Sequence, residues 1–363
     1  MTPPYQIKDL TVELTRKCSM HCTICSSEGG ACDPAELSLV ELCNIIDDAK
    51  QLGATTISLS GGEPLESPHV FDFIRYVKDS GLKLYLYTCG NLFSGDHINA
   101  INEETFSLLK KLSVDKIIFS IHGPNAEIHE RITSKKGSFE NLITSIKRAQ
   151  AANHVVELHF VPVLSNYKSL PETCHLAEEL GIRQLSVLRF VPQGRGAQNK
   201  KDLEIIGKDI QKLEEILKKI YENSSIELRF GSPFNCFNID NRSKCSAGIA
   251  KAILRPDGFF FPCVSLKRII ETDEETNIRK SSLREIWNDS RIFRLIRSFH
   301  TAIEDSNCRH CVHFDMCGGG CLTHRMLDSD DLSKSKDPLC SKSLNSTHSS
   351  SHCDKIKNPI EAE

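Results

Sequence analysis

The sequence predicts an α/β protein with a parallel sheet, followed by a smaller cysteine-rich domain. In the first half, apolar strand-like segments alternate six times with amphipathic helical segments, and several of these helical segments end at a glycine. In the second half, eight of the 16 cysteines lie between residues 236 and 340. The 363 residues are enough for two domains on length alone.

The alternation can be followed element by element. The predicted strands cover residues 7–14, 55–59, 83–88, 116–120, 155–161 and 183–190. The predicted helices cover residues 42–52, 69–80, 103–112, 138–151 and 170–180, and the first, second and fifth are each followed by a glycine. Parallel α/β folds place their chemistry at the carboxyl ends of strands, so the loops after these strands are the candidate site.

Three cysteines follow the first predicted strand in a C-x3-C-x2-C array: Cys18, Cys22 and Cys25. Three thiolates are one fewer than a closed metal site normally takes, and the open position can bind a substrate or cofactor. The array therefore indicates a catalytic metal site. A zinc site and chance clustering are the alternatives.

Composition narrows the class of protein. A net charge of −3 gives no sign of a nucleic-acid or membrane partner, and no apolar run is long enough to span a bilayer. The first ten residues lack the apolar core of a signal peptide. We therefore expect a cytoplasmic protein, in which 16 cysteines are better explained as metal ligands than as disulfides.

The three-cysteine array resembles that of the radical S-adenosylmethionine (SAM) superfamily. In that family the cysteines hold a [4Fe–4S] cluster, SAM binds the fourth iron, and reductive cleavage of SAM releases a 5′-deoxyadenosyl radical. The resemblance implies that Cys18, Cys22 and Cys25 are cluster ligands. It also implies that residues 1–200 fold as a partial (β/α)6 radical SAM barrel.

Two further loops carry cofactor-binding residues that the resemblance implies. Gly61, Gly62, Glu63 and Pro64 follow the second predicted strand and look like the family's GGEP motif, which holds the SAM amino group. By itself this stretch is more typical of a turn. Ser120 matches a position that contacts the SAM ribose.

Arg131 resembles a residue that reaches the SAM carboxylate, with a surface arginine as an equal alternative. The chain departs from many relatives at Ile24, which replaces an aromatic residue, and at His122, which replaces an aspartate and for which we predict a polar position at the rim of the site. Arg189 and Arg195 can bind an anionic substrate group or the SAM carboxylate, although a salt-bridged arginine is the commoner outcome.

Cys89 ends the third predicted strand beside the expected SAM pocket. We take it as a candidate catalytic residue that gives or takes a hydrogen atom, with Cys32 as a second candidate and a packing role as the alternative.

The second cysteine array has two ordered parts: Cys245 and Cys263 flanking Gly258, and then Cys308-x2-Cys311-x5-Cys317-x3-Cys321, followed by Cys340. It resembles the SPASM domain, an auxiliary iron–sulfur module. The stretch 255–258, Arg-Pro-Asp-Gly, predicts a hairpin turn before an aromatic strand. The resemblance implies two fully ligated [4Fe–4S] clusters, with zinc as the alternative. The first would take Cys236, Cys245, Cys263 and Cys321, and the second would take Cys308, Cys311, Cys317 and Cys340.

The domain prediction is a core over 1–200, a linking helix over 201–222, a SPASM domain over 223–345 and a disordered tail over 346–363. We expect an enzyme that cleaves SAM reductively and modifies a ribosomally made peptide by oxidation or crosslinking. The alternatives are a dehydrogenase or epimerase acting on a sugar or alcohol, and a non-catalytic metal-binding scaffold. Val264 stands where sulfatase-maturing relatives carry an aspartate base, which argues against that activity.

The expected partners are an electron donor such as flavodoxin or ferredoxin, and a separate peptide-recognition protein. The latter follows because the first predicted strand begins near residue 7, without a preceding recognition domain.

Overall fold

The structure, a computed structural model, describes residues 5–30, 36–95, 97–237, 239, 244–267, 273–302, 307–328 and 335–340. Its strands are β1 Asp9–Glu13, β2 Thr56–Ser60, β3 Lys83–Thr88, β4 Asn91–Ser94, β5 His97–Ala100, β6 Lys116–Ser120, β7 Val156–Phe160, β8 Gln184–Val187, β9 Glu227–Phe230, β10 Lys251–Leu254 and β11 Phe260–Phe261. Its α-helices are α1 Leu39–Gln51, α2 Val70–Asp79, α3 Glu103–Lys111, α4 Ala126–Thr133, α5 Ser138–Ala151, α6 Leu170–Glu179, α7 Arg195–Gln198, α8 Lys200–Leu203, α9 Lys208–Asn223, α10 Leu283–Asp289, α11 Arg291–Ala302, α12 Phe314–Cys317 and α13 Leu322–Asp328.

One nine-stranded sheet organises the molecule, in the order β11-β10-β1-β2-β3-β6-β7-β8-β9. The six predicted strands are β1, β2, β3, β6, β7 and β8, and each neighbouring pair among them is parallel. Helices connect consecutive parallel strands, as such crossovers require. The prediction of a parallel α/β fold with six strand–helix repeats is confirmed.

Local sequence signals explain where the helices begin and which face they bury. Ser38 caps α1: its side chain accepts from the Glu41 N–H, and the Glu41 carboxylate accepts from the Ser38 N–H, which completes a capping box. The buried residues of α1 fall at helical spacing: Leu42, Ile45, Ile46 and Ala49. The predicted bounds of β3, β6 and α5 agree with the structure residue for residue.

Several elements differ from the prediction. The hairpin of β4 and β5 and the helix α4 were not predicted from the sequence. The linking helix predicted over 201–222 is wrong in its first part, because α8 ends at Leu203 and α9 begins only at Lys208. Gly207, with φ +56°, takes a left-handed conformation that interrupts the helical path.

The C-terminal part of the chain extends the same sheet. β10 pairs in parallel with β1, and β11 pairs antiparallel with β10. Gly258 has φ +88°, and the Arg255 N–H donates to the Phe259 carbonyl at 2.8 Å, which confirms the predicted hairpin turn. The predicted tail over 346–363 lies outside the described residues.

Candidate active site

The cysteine loop after β1 directs backbone N–H groups at its own sulfurs. The Met20 N–H donates to Cys18 Sγ at 3.4 Å, and the Gly29 N–H donates to Cys25 Sγ at 3.4 Å. Donors of this kind stabilise negative charge on sulfur. The loop therefore stabilises its cysteines as thiolates.

Two other elements hold this loop from outside. The last residues of α4 accept from it, since the His21 N–H donates to the Thr133 carbonyl at 3.2 Å and the Thr23 N–H to the Ile132 carbonyl at 2.8 Å. Arg195, at the start of α7, completes the clamp.

The Arg195 guanidinium donates to two carbonyls of the loop. Its Nε lies 3.0 Å from the Cys22 carbonyl oxygen and its Nη1 lies 2.7 Å from the Gly29 carbonyl oxygen. These bonds tie the loop after β8 to the cysteine loop. Arg195 therefore acts on the backbone of the cysteine loop, which neither the anion-binding role nor the solvated or salt-bridged alternative described.

The donor set fits an iron–sulfur cluster held by three thiolates. Burial raises the pKa of Cys22, and the neighbouring Cys25 and Cys18 raise it further, while Arg195 opposes them. Three adjacent thiols lose their protons together only where cations neutralise them, as iron does. In the part of the chain that the structure describes, no three His, Cys, Asp or Glu side chains converge on the position of one ion.

The glycine pair after β2 packs against the backbone of the cysteine loop. A Cβ on Gly62 would lie 2.2 Å from the Lys17 carbonyl oxygen, and one on Gly61 would lie 2.6 Å from that of Thr15. The Gly62 N–H donates to the Thr15 carbonyl at 2.7 Å, and the Glu63 N–H donates to the Lys17 carbonyl at 2.8 Å. Only residues without a side chain allow this approach.

Glu63 is fully buried and joins the ends of β2 and β3. Its carboxylate accepts from Thr88 Oγ1 at 2.9 Å and from the Cys89 N–H at 2.9 Å. Burial raises the pKa of Glu63 to about 7, against the lowering effect of these hydrogen bonds. Pro64, also buried, begins a short 3-10 helix directly after it. The contact of this loop with SAM stays a prediction.

Cys89 directly follows the last residue of β3 and lies beside Cys18 of the cysteine loop. A hydrogen bond with Cys18 and burial raise the pKa of the Cys89 thiol well above its usual value, and its Sγ also lies 3.4 Å from the Asn91 carbonyl oxygen. Both effects favour the protonated thiol, which is the form that can donate a hydrogen atom. Cys32, the second candidate, lies outside the described residues.

The cysteines of the C-terminal part form two groups. In the first, burial raises the pKa of Cys245 to about 12, with Cys263 and Cys321 as the nearby thiols. In the second, burial raises the pKa of Cys317 to about 11, with Cys340 and Cys308 nearby. The Cys311 N–H donates to the Cys308 carbonyl at 2.9 Å, which places Cys311 in the second group.

Cys236 lies with the second group, which differs from the grouping that the resemblance implies. Its Sγ is 3.8 Å from the carbonyl oxygen of Leu339, the residue before Cys340. The adjacent Asn235 donates to the carbonyl of Met316, the residue before Cys317, at 2.8 Å. Two independent contacts thus hold Cys236 beside Cys317 and Cys340.

Comparison with known families decides which class of protein this is. The radical SAM superfamily model matches residues 12–177, and the model of the SPASM iron–sulfur cluster-binding domain matches residues 245–312. The chain is a radical SAM enzyme with a SPASM domain. Its cofactors are accordingly SAM and iron–sulfur clusters.

Relatives of this radical SAM enzyme align with it over most of their length. The AdoMet-dependent heme synthase of Methanosarcina barkeri is 28% identical over 85% of this chain and 89% of its own. The PqqA peptide cyclase of Ruegeria pomeroyi is 28% identical over 94% of this chain and 89% of its own. The structure of Streptococcus suis SuiB bound to the precursor peptide SuiA has the same fold, with a TM-score of 0.72 and 18% identity over 93% of this chain and 76% of that one.

Within the radical SAM core, the remaining predicted residues have different surroundings. Ser120 ends β6 and is half-buried at the carboxyl edge of the sheet. The Arg131 side chain is 55% exposed and pairs with Glu127 at 3.0 Å on the surface of α4, which favours the surface-arginine alternative. His122 is buried and stacks on His129 at 5.3 Å, so the predicted rim position is wrong.

A buried network that the sequence did not reveal joins the end of β8 to the C-terminal part of the chain. Arg189, just after β8, donates to both carboxylate oxygens of Asp337 at 2.6 Å and also to His324 Nδ1. The same carboxylate accepts the Cys321 N–H at 2.6 Å. Arg189 therefore orders the loop that carries Cys321, and the structure does not support the anionic-substrate interpretation.

No helix in the described ranges has both the length and the apolar character needed to cross a bilayer.

Proposed function

We propose that this enzyme is a radical SAM oxidoreductase that modifies a ribosomally made peptide. One observation carries the proposal: the loop of Cys18, Cys22 and Cys25 lies at the carboxyl edge of six parallel strands and is clamped by Arg195 and by the end of α4. That edge is where parallel α/β enzymes hold their substrates.

The cofactors would be SAM and three [4Fe–4S] clusters. When bound to Cys18, Cys22 and Cys25, a cluster supplies the electron that cleaves SAM. The protein's part is to hold the three thiols in place, while Gly61, Gly62, Glu63, Pro64 and Ser120 form the proposed SAM-binding loops. Arg131 is the weakest member of this set, because its guanidinium already pairs with Glu127.

The proposed auxiliary clusters would use the two cysteine groups of the SPASM domain, and the contacts of Cys236 favour placing it in the second. Cys89, protonated and next to Cys18, is a proposed donor of a hydrogen atom to a substrate radical. Its S–H bond would break as a C–H bond forms, and one electron from the proposed reductant with one proton from solvent would then restore the thiol. Because the substrate regains a hydrogen, this step belongs to a redox-neutral outcome and not to net oxidation or crosslinking.

Two points favour a peptide over an anionic small molecule. PqqA peptide cyclase is named for a peptide, and the structure of SuiB contains the precursor peptide SuiA. In addition, the two arginines considered for substrate carboxylates donate to protein groups: Arg189 to Asp337, and Arg195 to loop carbonyls. A substrate rich in carboxylates would then lack its expected counter-charges.

A second candidate function is a small-molecule oxidation. The similarity to an AdoMet-dependent heme synthase, at 28% identity, favours a tetrapyrrole more than a sugar or alcohol. For either function, the proposed electron donor is a flavodoxin or ferredoxin in a reducing cytoplasm. A separate peptide-recognition protein is the proposed partner for the first.

The test begins with anaerobic reconstitution of the wild type and of a Cys18→Ala/Cys22→Ala/Cys25→Ala control. Three clusters predict about 12 irons per wild-type chain and about eight in the control, with 5′-deoxyadenosine formed only by the wild type. The enzyme is then co-expressed with candidate short peptides encoded near its gene. Loss of hydrogen from one of these peptides by mass spectrometry supports the peptide function, whereas turnover of a tetrapyrrole without peptide supports the second. Bound zinc with intact SAM contradicts both.

A further inference from the structure

A buried lysine, Lys267, lies where the chain just after Cys263 contacts the segment that carries Cys25. Ser27 follows Cys25 by two residues, and Lys267 follows Cys263 by four. Glu13 ends β1 just before the first loop. The exposed fractions of Lys267, Glu13 and Ser27 are 1%, 4% and 8%.

These three side chains are hydrogen-bonded to one another. The Lys267 ammonium donates to Glu13 Oε1 and to Ser27 Oγ, the latter at 2.6 Å. The Ser27 hydroxyl in turn donates to Glu13 Oε1 at 2.6 Å. Every partner belongs to the segment that carries Cys18, Cys22 and Cys25, so Lys267 links that segment to the chain around Cys263.

A separate set of ion pairs holds the hairpin at 255–258 against the segment that carries Cys18. Asp257 accepts from Arg255 and, at 3.2 Å, from Arg16 Nη2 in the cysteine segment. The Arg255 guanidinium also donates to the Lys267 carbonyl at 3.1 Å. The backbone around Lys267 is thus fixed by Arg255, which leaves the lysine's own charge to be explained. Lysine is rarely buried so fully, because desolvating its ammonium is costly.

We propose that Lys267 is a positioning residue whose buried charge raises the reduction potential of the auxiliary cluster held by Cys245, Cys263 and Cys321. A thiolate-bound cluster is anionic and becomes more so when it accepts an electron. A fixed cation in a poorly solvated place favours that change. The inference rests on the auxiliary cluster of the proposed function, and it would make this cluster an electron acceptor during substrate oxidation.

The test is a redox titration of the reconstituted holoenzyme, followed by electron paramagnetic resonance. The signal of this cluster is identified by its loss in the Cys263→Ala variant. Lys267→Met removes the charge at similar length and should lower the equilibrium constant for reduction roughly tenfold, which is about 59 mV for one electron. Lys251→Met is the matched control: Lys251 lowers the pKa of Cys263 no less than Lys267 does, but its side chain is 62% exposed, so screening by water should leave the reduction potential nearly unchanged.

A second variant separates charge from folding. Glu13 is the counter-charge of Lys267, so Lys267→Met/Glu13→Gln removes the whole ion pair, keeps an acceptor for Ser27 and should fold. A potential that is still below that of the wild type assigns the shift to the lysine, and a potential equal to that of the wild type assigns it to the stranded carboxylate and overturns the inference. An unchanged potential in Lys267→Met at full iron content, or an equal shift in Lys251→Met, overturns this inference and leaves the proposed function standing. Absence of auxiliary iron from the wild type would remove the proposed cluster and, with it, this inference.

Discussion

Gly62 shows how one residue type can be required by the backbone that faces it. Its α-carbon faces the carbonyl groups of Arg16 and Lys17, and a Cβ would lie 2.6 and 2.2 Å from their oxygens. Carbonyl groups of a tightly hydrogen-bonded loop have little freedom to move. The glycine therefore preserves the position of the loop that carries Cys18.

We predict that Gly62→Ala displaces the cysteine loop and costs about 3 kcal/mol of stability, the upper end for overpacking. The variant should also lose most 5′-deoxyadenosine formation, measured with its iron content. Gly30→Ala is the control in the same segment, because a Cβ at Gly30 meets nothing within 4 Å. Equal activity of the two variants would contradict this account of Gly62.

The buried carboxyl of Glu63 should make stability depend on pH. Its pKa is about 7 in the folded protein because of burial, above the usual value of roughly 4.3 in an unfolded chain. Between these values the folded state holds a proton that the unfolded state releases. The stabilising contribution is thus full below about pH 4.3 and is lost as pH rises to about 7, by up to roughly 1.4 kcal/mol per pH unit.

Glu63→Gln should flatten that part of the curve. The measurement is the free energy of chemical unfolding between pH 5 and 7.5, under anaerobic conditions. Glu157→Gln serves as a control: burial raises the Glu157 pKa, but hydrogen bonds from His159, Lys116 and Ser186 outweigh it and bring the pKa to about 2, outside this range. The same slope in wild type and Glu63→Gln would show that Glu63 stays ionised.

At the scale of elements, the position of the cysteine loop depends on the stability of the short helix α4. Asn125 caps it by accepting the Ile128 N–H at 3.1 Å, and its last residues hold the cysteine loop. We predict that Asn125→Ala costs about 1 kcal/mol and also lowers SAM cleavage. Asn102→Ala removes the equivalent cap of α3, which accepts the Thr105 N–H at 2.9 Å, and should cost the same stability without that loss of activity.

Elements with strong local patterns could be predicted, while α4 and the hairpin of β4 and β5 could not. The buried face of α4 includes His129 and Thr133, so its apolar periodicity is weak. The thiols of the site could also be predicted, because their spacing is written in the chain. The charged contacts could not: Lys267 and Glu13 are 254 residues apart, and Arg189 and Asp337 are 148 apart. Only the fold brings such pairs together.

At the scale of the whole molecule, the sheet makes the two matched domains one folding unit. Leu10 and Val12 of β1 are fully buried, and β1 pairs with β2 along one edge and with β10 along the other. Phe260 of β11 stacks on Phe293 at 5.1 Å, which continues the apolar core into the C-terminal helices. Removal of the second domain would expose an apolar parallel strand, and such edges template aggregation.

We therefore predict that a chain cut after Asn223 aggregates, because the edges of both β1 and β8 lose their partner strands. Size-exclusion chromatography and cooperativity of unfolding are the measurements. A chain cut after Cys340 is the control, since it keeps every described residue and should match the full chain in both. A soluble, cooperatively unfolding 1–223 fragment would mean that the core folds alone. In that case the buried Lys267 and Arg189 contacts would serve the cysteine loops more than the fold.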